Sequence, residues 1–123
     1  SKGIHIIQFS PCRNLNNFYR ELSWGKEISQ IGRPVDHPTL AEIVAKYPKN
    51  TNQVALGWAV QYGRPVIPTS TIKSQIEENL KAGFELEEVD LLTIGMMDRK
   101  ARFNDPSTDF GYKLYIGLDV AAF

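Results

Sequence analysis

The stretch VIPTSTIKSQIEENL, from Val66 to Leu80, combines residue types that could bind a phosphate. An apolar run ends at a proline, and Ser70 and Thr71 then offer hydroxyl donors. A helix is predicted to begin directly afterwards. The first amides of a helix favour an anion because they lack intrahelical partners and because the helix dipole is positive there. The stretch therefore has the form of a phosphate-binding loop.

The same loop also has a purely structural explanation. Every parallel α/β unit needs a polar loop between a strand and a helix, and Ser74 with Glu77 has the spacing of a capping box. Lys73 is the single basic residue of the stretch. The local pattern alone favours this structural explanation over a phosphate site.

A second stretch, FSPCRN, follows an apolar segment that is predicted to be a strand. Phe9, Ser10 and Asn14 would lie at the carboxyl end of this strand, where parallel sheets and barrels bind ligands. The ring of Phe9 could stack on a flat cofactor ring. The alternative, which the pattern alone favours, is that Phe9 belongs to the core and that the Ser-Pro pair makes a turn.

Other residues capable of chemistry have simpler structural explanations. His5 lies within an apolar strand, where we predict a core position. His37 precedes Pro38 at a helix start, which it or Asp36 can cap. Cys12 has no basic or histidine neighbour in the sequence that would activate it as a nucleophile. No Cys, His and acidic spacing resembles a metal site, so none is predicted.

Two strands and four helices are predicted to position the two loops. The strands are GIHIIQFS, which is apolar enough to predict burial on both faces, and PVIP. The helices are HPTLAEIVAKY, NQVALGWAVQYG, SQIEENLKAG and LEEVDLLTIGMMD. Their order predicts an α/β fold with parallel strands. The residues predicted to face the core are Leu40, Ile43, Val44 and Tyr47 in the first helix, Val54, Leu56, Trp58 and Ala59 in the second, and Val89, Leu92 and Met96 in the fourth.

Composition excludes several classes of protein. The 14 basic and 14 acidic residues cancel, so nothing in the net charge attracts nucleic acid or an anionic membrane. Cys12 is the single cysteine, and no apolar run could span a bilayer, which favours a cytoplasmic location. Two strands cannot form a sheet that is buried on both faces. The segment is therefore expected to belong to something larger.

Taken together, the segments KGIHIIQFSP, HPTLAEIVAKY, NQVALGWAVQYG, VIPTSTIKSQIEENL and MDRKARFNDP resemble the aldo-keto reductases in order and spacing. The fungal xylose reductase-like branch is the most similar, mainly through RFNDP. The resemblance implies the last part of a (β/α)8 barrel, a fold of ~250 residues. Residues 1–98 would supply the final two barrel strands, their helices and an added helix. Residues 99–123 would be a C-terminal tail, and the N-terminal part of the barrel would be missing.

The resemblance also implies a set of cofactor contacts. Phe9 takes the place of a tyrosine that stacks on nicotinamide, and Ser10 matches a serine that contacts the phosphate bridge. Cys12 occupies a position where the family usually has leucine, and Asn14 occupies one where it often has serine. In the second loop, Ser70 and Thr71 would contribute hydroxyl groups near the phosphates. Gln75 would place an amide at the position of an arginine, and Glu78 and Asn79 would hydrogen-bond adenine.

Two departures weaken the expected site for the 2′-phosphate of NADPH. Thr69 replaces the family's lysine, and Gln75 replaces its arginine. A neutral amide does not reproduce a bidentate guanidinium–phosphate contact. The cofactor is therefore expected to be NADP(H) or NAD(H), with weak discrimination between them. In the tail, Phe103 and Asn104 resemble a loop that lines the substrate pocket, and the alternative is a surface tail that packs its aromatic residues on the barrel.

The sequence thus predicts the C-terminal, cofactor-binding part of an NAD(P)H-dependent reductase that converts aldehydes and ketones to alcohols. Its partners would be a dinucleotide and a small carbonyl substrate. The family's catalytic tyrosine, lysine, aspartate and histidine match no residue here, so no catalytic residue is assigned and the chain alone is expected to be inactive. The alternative is a truncated, non-catalytic relative.

Overall fold

The computed structural model describes residues 3–12, 32–98, 107–114 and 116. Its contacts divide the chain into two units, residues 1–14 with 33–97 and residues 15–32 with 98–123. The elements of the first unit are β1 (Gln8–Phe9), a 3-10 turn (Pro34–Asp36), α1 (Pro38–Val44), α2 (Thr51–Gln61), β2 (Val66–Ile67), α3 (Lys73–Leu80) and α4 (Glu88–Gly95). The described part of the second unit contains α5 (Ser107–Phe110).

The two short strands form a parallel pair, as predicted. Gln8 lies opposite Val66 and Phe9 lies opposite Ile67. The Gln8 N–H donates to the carbonyl oxygen of Pro65 at 2.8 Å, which extends the pairing by one residue. The strands therefore run in the same direction and end at the same edge.

The prediction that the first strand is buried on both faces is wrong for the described structure. Ile4 is 79% exposed and Ile6 is 72% exposed, and His5, expected in the core, is exposed as well. The reason is that the pairing covers two residues in each strand, and the sheet formed by the described residues has two strands. Such a sheet leaves its apolar side chains in solvent.

Polar side chains begin the first two helices. His37 caps α1 as predicted, because its Nδ1 accepts a hydrogen bond from the Thr39 N–H at 3.3 Å. Asn50 caps α2, and Asn50 with Gln53 forms a complete capping box. In that box the Gln53 N–H donates to Asn50 Oδ1 at 2.9 Å, and the Asn50 N–H donates to Gln53 Oε1 at 3.1 Å. Both ends of the box satisfy amides that a helix start leaves free.

The core lies between α1, α2 and the segment that leads into α4. Its fully buried apolar residues are Leu40, Ile43, Val54 and Leu86, and half-buried side chains pack around them, namely Val44, Tyr47, Trp58, Phe84, Leu91, Ile94 and Met97. The Trp58 indole donates to the carbonyl oxygen of Leu91 at 3.0 Å, so its polar atom is satisfied. The predicted core faces of the first two helices are therefore confirmed.

The predicted face of α4 is wrong. Val89, Leu92 and Met96 are exposed, and the neighbouring face carries Leu91 and Ile94 into the core. Asp90 explains the rotation, because it is 2% exposed and hydrogen-bonded to two residues near the end of α1. Burying Asp90 in this position turns the other stripe of α4 outward.

A side-chain amide fixes the loop between α3 and α4. Gln61 Nε2 donates to the carbonyl oxygen of Leu86 at 3.1 Å, and the Leu86 N–H donates to Gln61 Oε1 at 2.8 Å. Gly57 of α2 lies close to the same loop, since a Cβ placed there would be 3.0 Å from the carbonyl oxygen of Ala82. The loop is thus held against α2 by two-point hydrogen bonding and close packing.

The described part of the second unit is small. In α5 the Ser107 hydroxyl accepts a hydrogen bond from the Leu114 N–H at 3.0 Å. Among the residues that the structure describes, no helix has the length and apolar character needed to span a membrane.

Candidate functional site

The candidate site is the edge at which both strands end. Because β1 and β2 are parallel and in register at Phe9 and Ile67, the loops that begin with Ser10 and Pro68 leave the sheet on the same side. Ligands of parallel α/β proteins bind at this carboxyl edge. The structure therefore brings together the two stretches singled out in the sequence.

The first loop presents an aromatic ring and a strained serine. Phe9 is 60% exposed, so the alternative that it belongs to the core is wrong. Ser10 has a φ of 50°, a left-handed conformation that is uncommon for a residue other than glycine. Such backbone strain is concentrated at functional sites, although it does not identify one alone.

Cys12 ends the described part of this loop. Its thiol is free and half-buried, and burial raises its pKa to about 11. The thiol is therefore protonated at neutral pH, which agrees with the expectation that Cys12 is not a nucleophile.

The second loop is closed by its own side chains. The Ser70 hydroxyl donates to Gln75 Oε1 at 2.7 Å and accepts from the Ile72 N–H at 3.0 Å. Helix α3 begins at Lys73, and its N-cap residue Ile72 has no capping side chain. The predicted capping box of Ser74 with Glu77 is therefore wrong, because α3 has already begun at Lys73 and the preceding turn is closed by the Ser70 hydroxyl.

The loop holds little positive charge close to its backbone. The Lys73 side chain is 92% exposed, and its Nζ lies 3.9 Å from Glu77 Oε1. Thr69 and Thr71 are exposed to solvent. A solvated lysine of this kind gives little local binding energy. The loop thus offers hydroxyl and amide groups to a ligand, and its one cation extends into solvent.

Glu78 and Asn79 lie in the last turns of α3, and both are half-buried. Asn50 Nδ2 donates to Glu78 Oε2 at 2.9 Å, and Gln53 Nε2 donates to the carbonyl oxygen of Glu78 at 3.0 Å. Asn50 and Gln53 were not among the site residues predicted from the sequence. The spacing N-x-x-Q before an apolar run is itself a capping-box signal that could have located the start of α2.

The remaining predicted site residues, Asn14, Phe103 and Asn104, lie outside the described residues. Within the described ranges, no group of His, Cys, Asp and Glu side chains is arranged to hold a metal ion.

Curated relatives align with about two thirds of the chain or more. The NAD(P)H-dependent D-xylose reductase of Pyricularia oryzae is 38% identical over 84 residues, which are 67% of this chain and 26% of that protein. The NADP-dependent D-sorbitol-6-phosphate dehydrogenase of Malus domestica is 36% identical over 83 residues, which are 67% of this chain and 27% of that protein. The chain spans about a quarter of the length of each relative. No model of a protein family matches the sequence.

A solved structure shares the fold over most of the chain. An aldo-keto reductase of Bombyx mori, in complex with NADP, matches 92% of this chain and 35% of that chain, with a TM-score of 0.68 and 27% identity. The parallel strands, the helices that follow them and this match define an α/β protein related to barrel oxidoreductases. The chain belongs to the aldo-keto reductase family, and fungal D-xylose reductases are among its relatives. The resemblance stated from the sequence is confirmed.

Proposed function

We propose that this chain supplies the cofactor-binding loops of an NAD(P)H-dependent aldo-keto reductase that reduces aldehydes or ketones to alcohols. The observation that supports the proposal is the parallel pairing of β1 with β2, which places both cofactor-loop stretches at one carboxyl edge. The groups at that edge and on α3 suit a dinucleotide, since the edge presents an exposed aromatic ring and hydroxyl groups and α3 carries the half-buried carboxylate of Glu78. The bound cofactor would supply the hydride, and the chain's own residues would hold and orient the cofactor.

Individual roles follow from the positions of the side chains. The ring of Phe9 would stack on nicotinamide, and Ser10 would contact the phosphate bridge, with Cys12 and Asn14 beside it. Ser70 and Thr71 would offer hydroxyl groups near the adenosine phosphates. Glu78 and Asn79 would accept and donate hydrogen bonds at adenine. Phe103 and Asn104 would line the pocket for a small carbonyl substrate.

The second loop is proposed to discriminate weakly between NADPH and NADH. A site selective for NADPH needs cations at the 2′-phosphate, and Thr69 and Gln75 are neutral. The Oε1 atom of Gln75 is also engaged by the Ser70 hydroxyl, so the side chain is held in the loop. A missing charged hydrogen bond costs about 1.5–3 kcal/mol, enough to remove most of a usual preference for NADPH.

Titration with both cofactors, followed by quenching of tryptophan fluorescence, tests this proposal. The unmodified chain is expected to bind NADH and NADPH with similar affinity. Thr69→Lys with Gln75→Arg should tighten NADPH by up to a few kcal/mol and leave NADH almost unchanged. Lys73→Gln is the matched control, because it removes a solvated charge from the same loop and should change neither affinity. A strong preference of the unmodified chain for NADPH would contradict the assignment of Thr69 and Gln75.

A non-catalytic relative is the second candidate. It is supported by the neutral residues at the two cation positions and by the absence from this sequence of any residue matched to the family's catalytic set. Purified chain mixed with NADPH and an aldehyde, monitored by the loss of NADPH absorbance, separates the two candidates. Turnover above the uncatalysed rate would exclude the non-catalytic reading, and cofactor binding without turnover would support it.

A further inference from the structure

Two side chains at the start of α2 hydrogen-bond to Glu78 of α3. Asn50 Nδ2 donates to the Glu78 carboxylate at 2.9 Å, and Gln53 Nε2 donates to the Glu78 carbonyl oxygen at 3.0 Å. Gln53 is itself buried, with 7% of its surface exposed. Both donors belong to the capping box, so each also helps to begin α2. The cap of one helix therefore fixes both the backbone and the side chain of a residue in the next.

This arrangement gives the two oxygens of the Glu78 carboxylate different roles. A carboxylate has two acceptor oxygens with about four lone pairs between them. Asn50 engages Oε2, so the carboxylate cannot turn freely. The other oxygen, Oε1, is then available in one orientation to a donor such as the exocyclic amine of adenine. An unconstrained glutamate would lose side-chain entropy on making the same contact.

We propose that Asn50 is a positioning residue for the adenine end of the cofactor, acting through Glu78. This inference rests on the proposed function, since it assumes that Glu78 contacts adenine. Asn50 touches no part of the cofactor in this role. It holds one carboxylate oxygen so that the other is presented to the base.

Asn50→Asp tests the proposal while keeping the helix cap. Aspartate still accepts the Gln53 N–H at the N-cap position, so α2 begins as before. It cannot donate to Glu78, and its negative charge repels the carboxylate. Affinity for NADH should fall by roughly 10-fold, the effect of losing one hydrogen bond. Affinity for reduced nicotinamide mononucleotide, which lacks adenine, should not change.

A second substitution should restore binding. In Asn50→Asp with Glu78→Gln, the new amide Nε2 can donate to Asp and leave Oε1 facing adenine. NADH affinity should return close to that of the unmodified chain. Glu78→Gln alone should weaken NADH, because Asn50 then engages the amide oxygen and the Nε2 donor faces the adenine amine. If the role of Asn50 were purely structural, the substitution would change the affinity for both NADH and reduced nicotinamide mononucleotide, or for neither. The second substitution would then not restore binding.

The outcomes separate this inference from the proposed function. Failure of the unmodified chain to bind NADH would overturn both. Binding of NADH that is insensitive to Asn50→Asp would overturn the positioning role and leave the proposed function standing. Equal weakening of NADH and reduced nicotinamide mononucleotide would also overturn it. Thermal unfolding of each variant, followed by circular dichroism, sets the temperature at which all of them are folded during titration.

Discussion

Asp90 is a carboxylate inside an otherwise apolar core, and two donors keep it ionised there. Lys46 Nζ and the Tyr47 hydroxyl each lie 2.6 Å from one of its oxygens. Burial alone would raise the pKa of Asp90, but these hydrogen bonds outweigh burial and hold the pKa below its ordinary value. The Tyr47 hydroxyl also accepts the Glu87 N–H at 3.0 Å, so one oxygen links α1 to the start of α4.

The lowered pKa of Asp90 has a consequence for acid stability. A carboxyl group whose pKa is lower in the folded state stabilises the fold above its unfolded pKa, and the stabilisation is lost as pH falls through the folded pKa. We expect the free energy of unfolding to decline below a pH of about 4, the ordinary range for aspartate. Asp90→Asn should be less stable at neutral pH and less sensitive to acid. Denaturant titrations from neutral to acidic pH measure this, and an unchanged acid dependence would show that other carboxyl groups dominate.

Removing one hydroxyl tests the same cluster. Tyr47→Phe keeps the ring, which packs against Phe84 with centroids 5.8 Å apart, but loses the bond to Asp90 and the acceptor for the Glu87 N–H. The expected loss is about 1.5–3 kcal/mol, the usual size for a hydrogen bond to a charged group. Tyr62→Phe is the control, because Tyr62 is 44% exposed and packs through its ring against Trp58. Its effect should stay within about 0.5 kcal/mol.

At the scale of helices, the sequence predicted their existence better than their orientation. Each helix of the first unit was predicted because its apolar spacing and its terminal signals are local. The face of α4 was not predictable in this way, since Val89, Leu92 and Met96 have as good a helical spacing as Leu91 and Ile94. The burial of Asp90 decides which face of α4 turns inward, and its partner Lys46 lies 44 residues away in the sequence.

The candidate site, too, was predictable from the sequence only in part. The meeting of the loops after Phe9 and Ile67 follows from parallel order, which the alternation of strands and helices predicted. The start of α3 was misplaced, because Ser74 with Glu77 fits the capping pattern but the Ser70 hydroxyl closes the turn first. The contact of Asn50 with Glu78 joins two helices and has no signature within either one.

Replacing each of two helical glycines with alanine should change the stability of the chain in opposite directions. At Gly57 of α2, an added Cβ would lie 2.9 Å from Phe84 Cε1 and 3.0 Å from the Ala82 carbonyl oxygen. Because backbone cannot move aside cheaply, Gly57→Ala should destabilise the chain by about 1–3 kcal/mol despite its better helix propensity. At Gly95 of α4 nothing lies within 4 Å, so Gly95→Ala should stabilise by about 0.5 kcal/mol. Urea unfolding of both variants checks the contrast in sign.

At the scale of the whole chain, exposed apolar residues and zero net charge favour association. Ile4, Ile6 and Phe9 are at least 60% exposed, and the charges of the chain cancel. Exposed apolar surface on a protein of zero net charge promotes self-association, since little net repulsion opposes contact.

The chain should therefore self-associate as its concentration rises, in sedimentation velocity experiments. Ile4→Lys with Ile6→Lys should shift the distribution toward monomer, because the change adds charge to the exposed segment before β1. Leu80→Lys is the control, since Leu80 is 82% exposed but lies at the end of α3. A concentration-independent monomer with a sharp thermal transition would contradict this expectation.

The Gln61 side chain pairs with Leu86 as a neighbouring backbone segment would, giving one donor and one acceptor. Leu86 lies outside every helix and strand, yet it is 4% exposed and its N–H is held at 2.8 Å. Its amide hydrogen should consequently exchange with solvent deuterium as slowly as amides inside α2, because release requires the loop to separate from the helix. Slow exchange at Leu86 would show that the irregular loop between α3 and α4 opens together with α2.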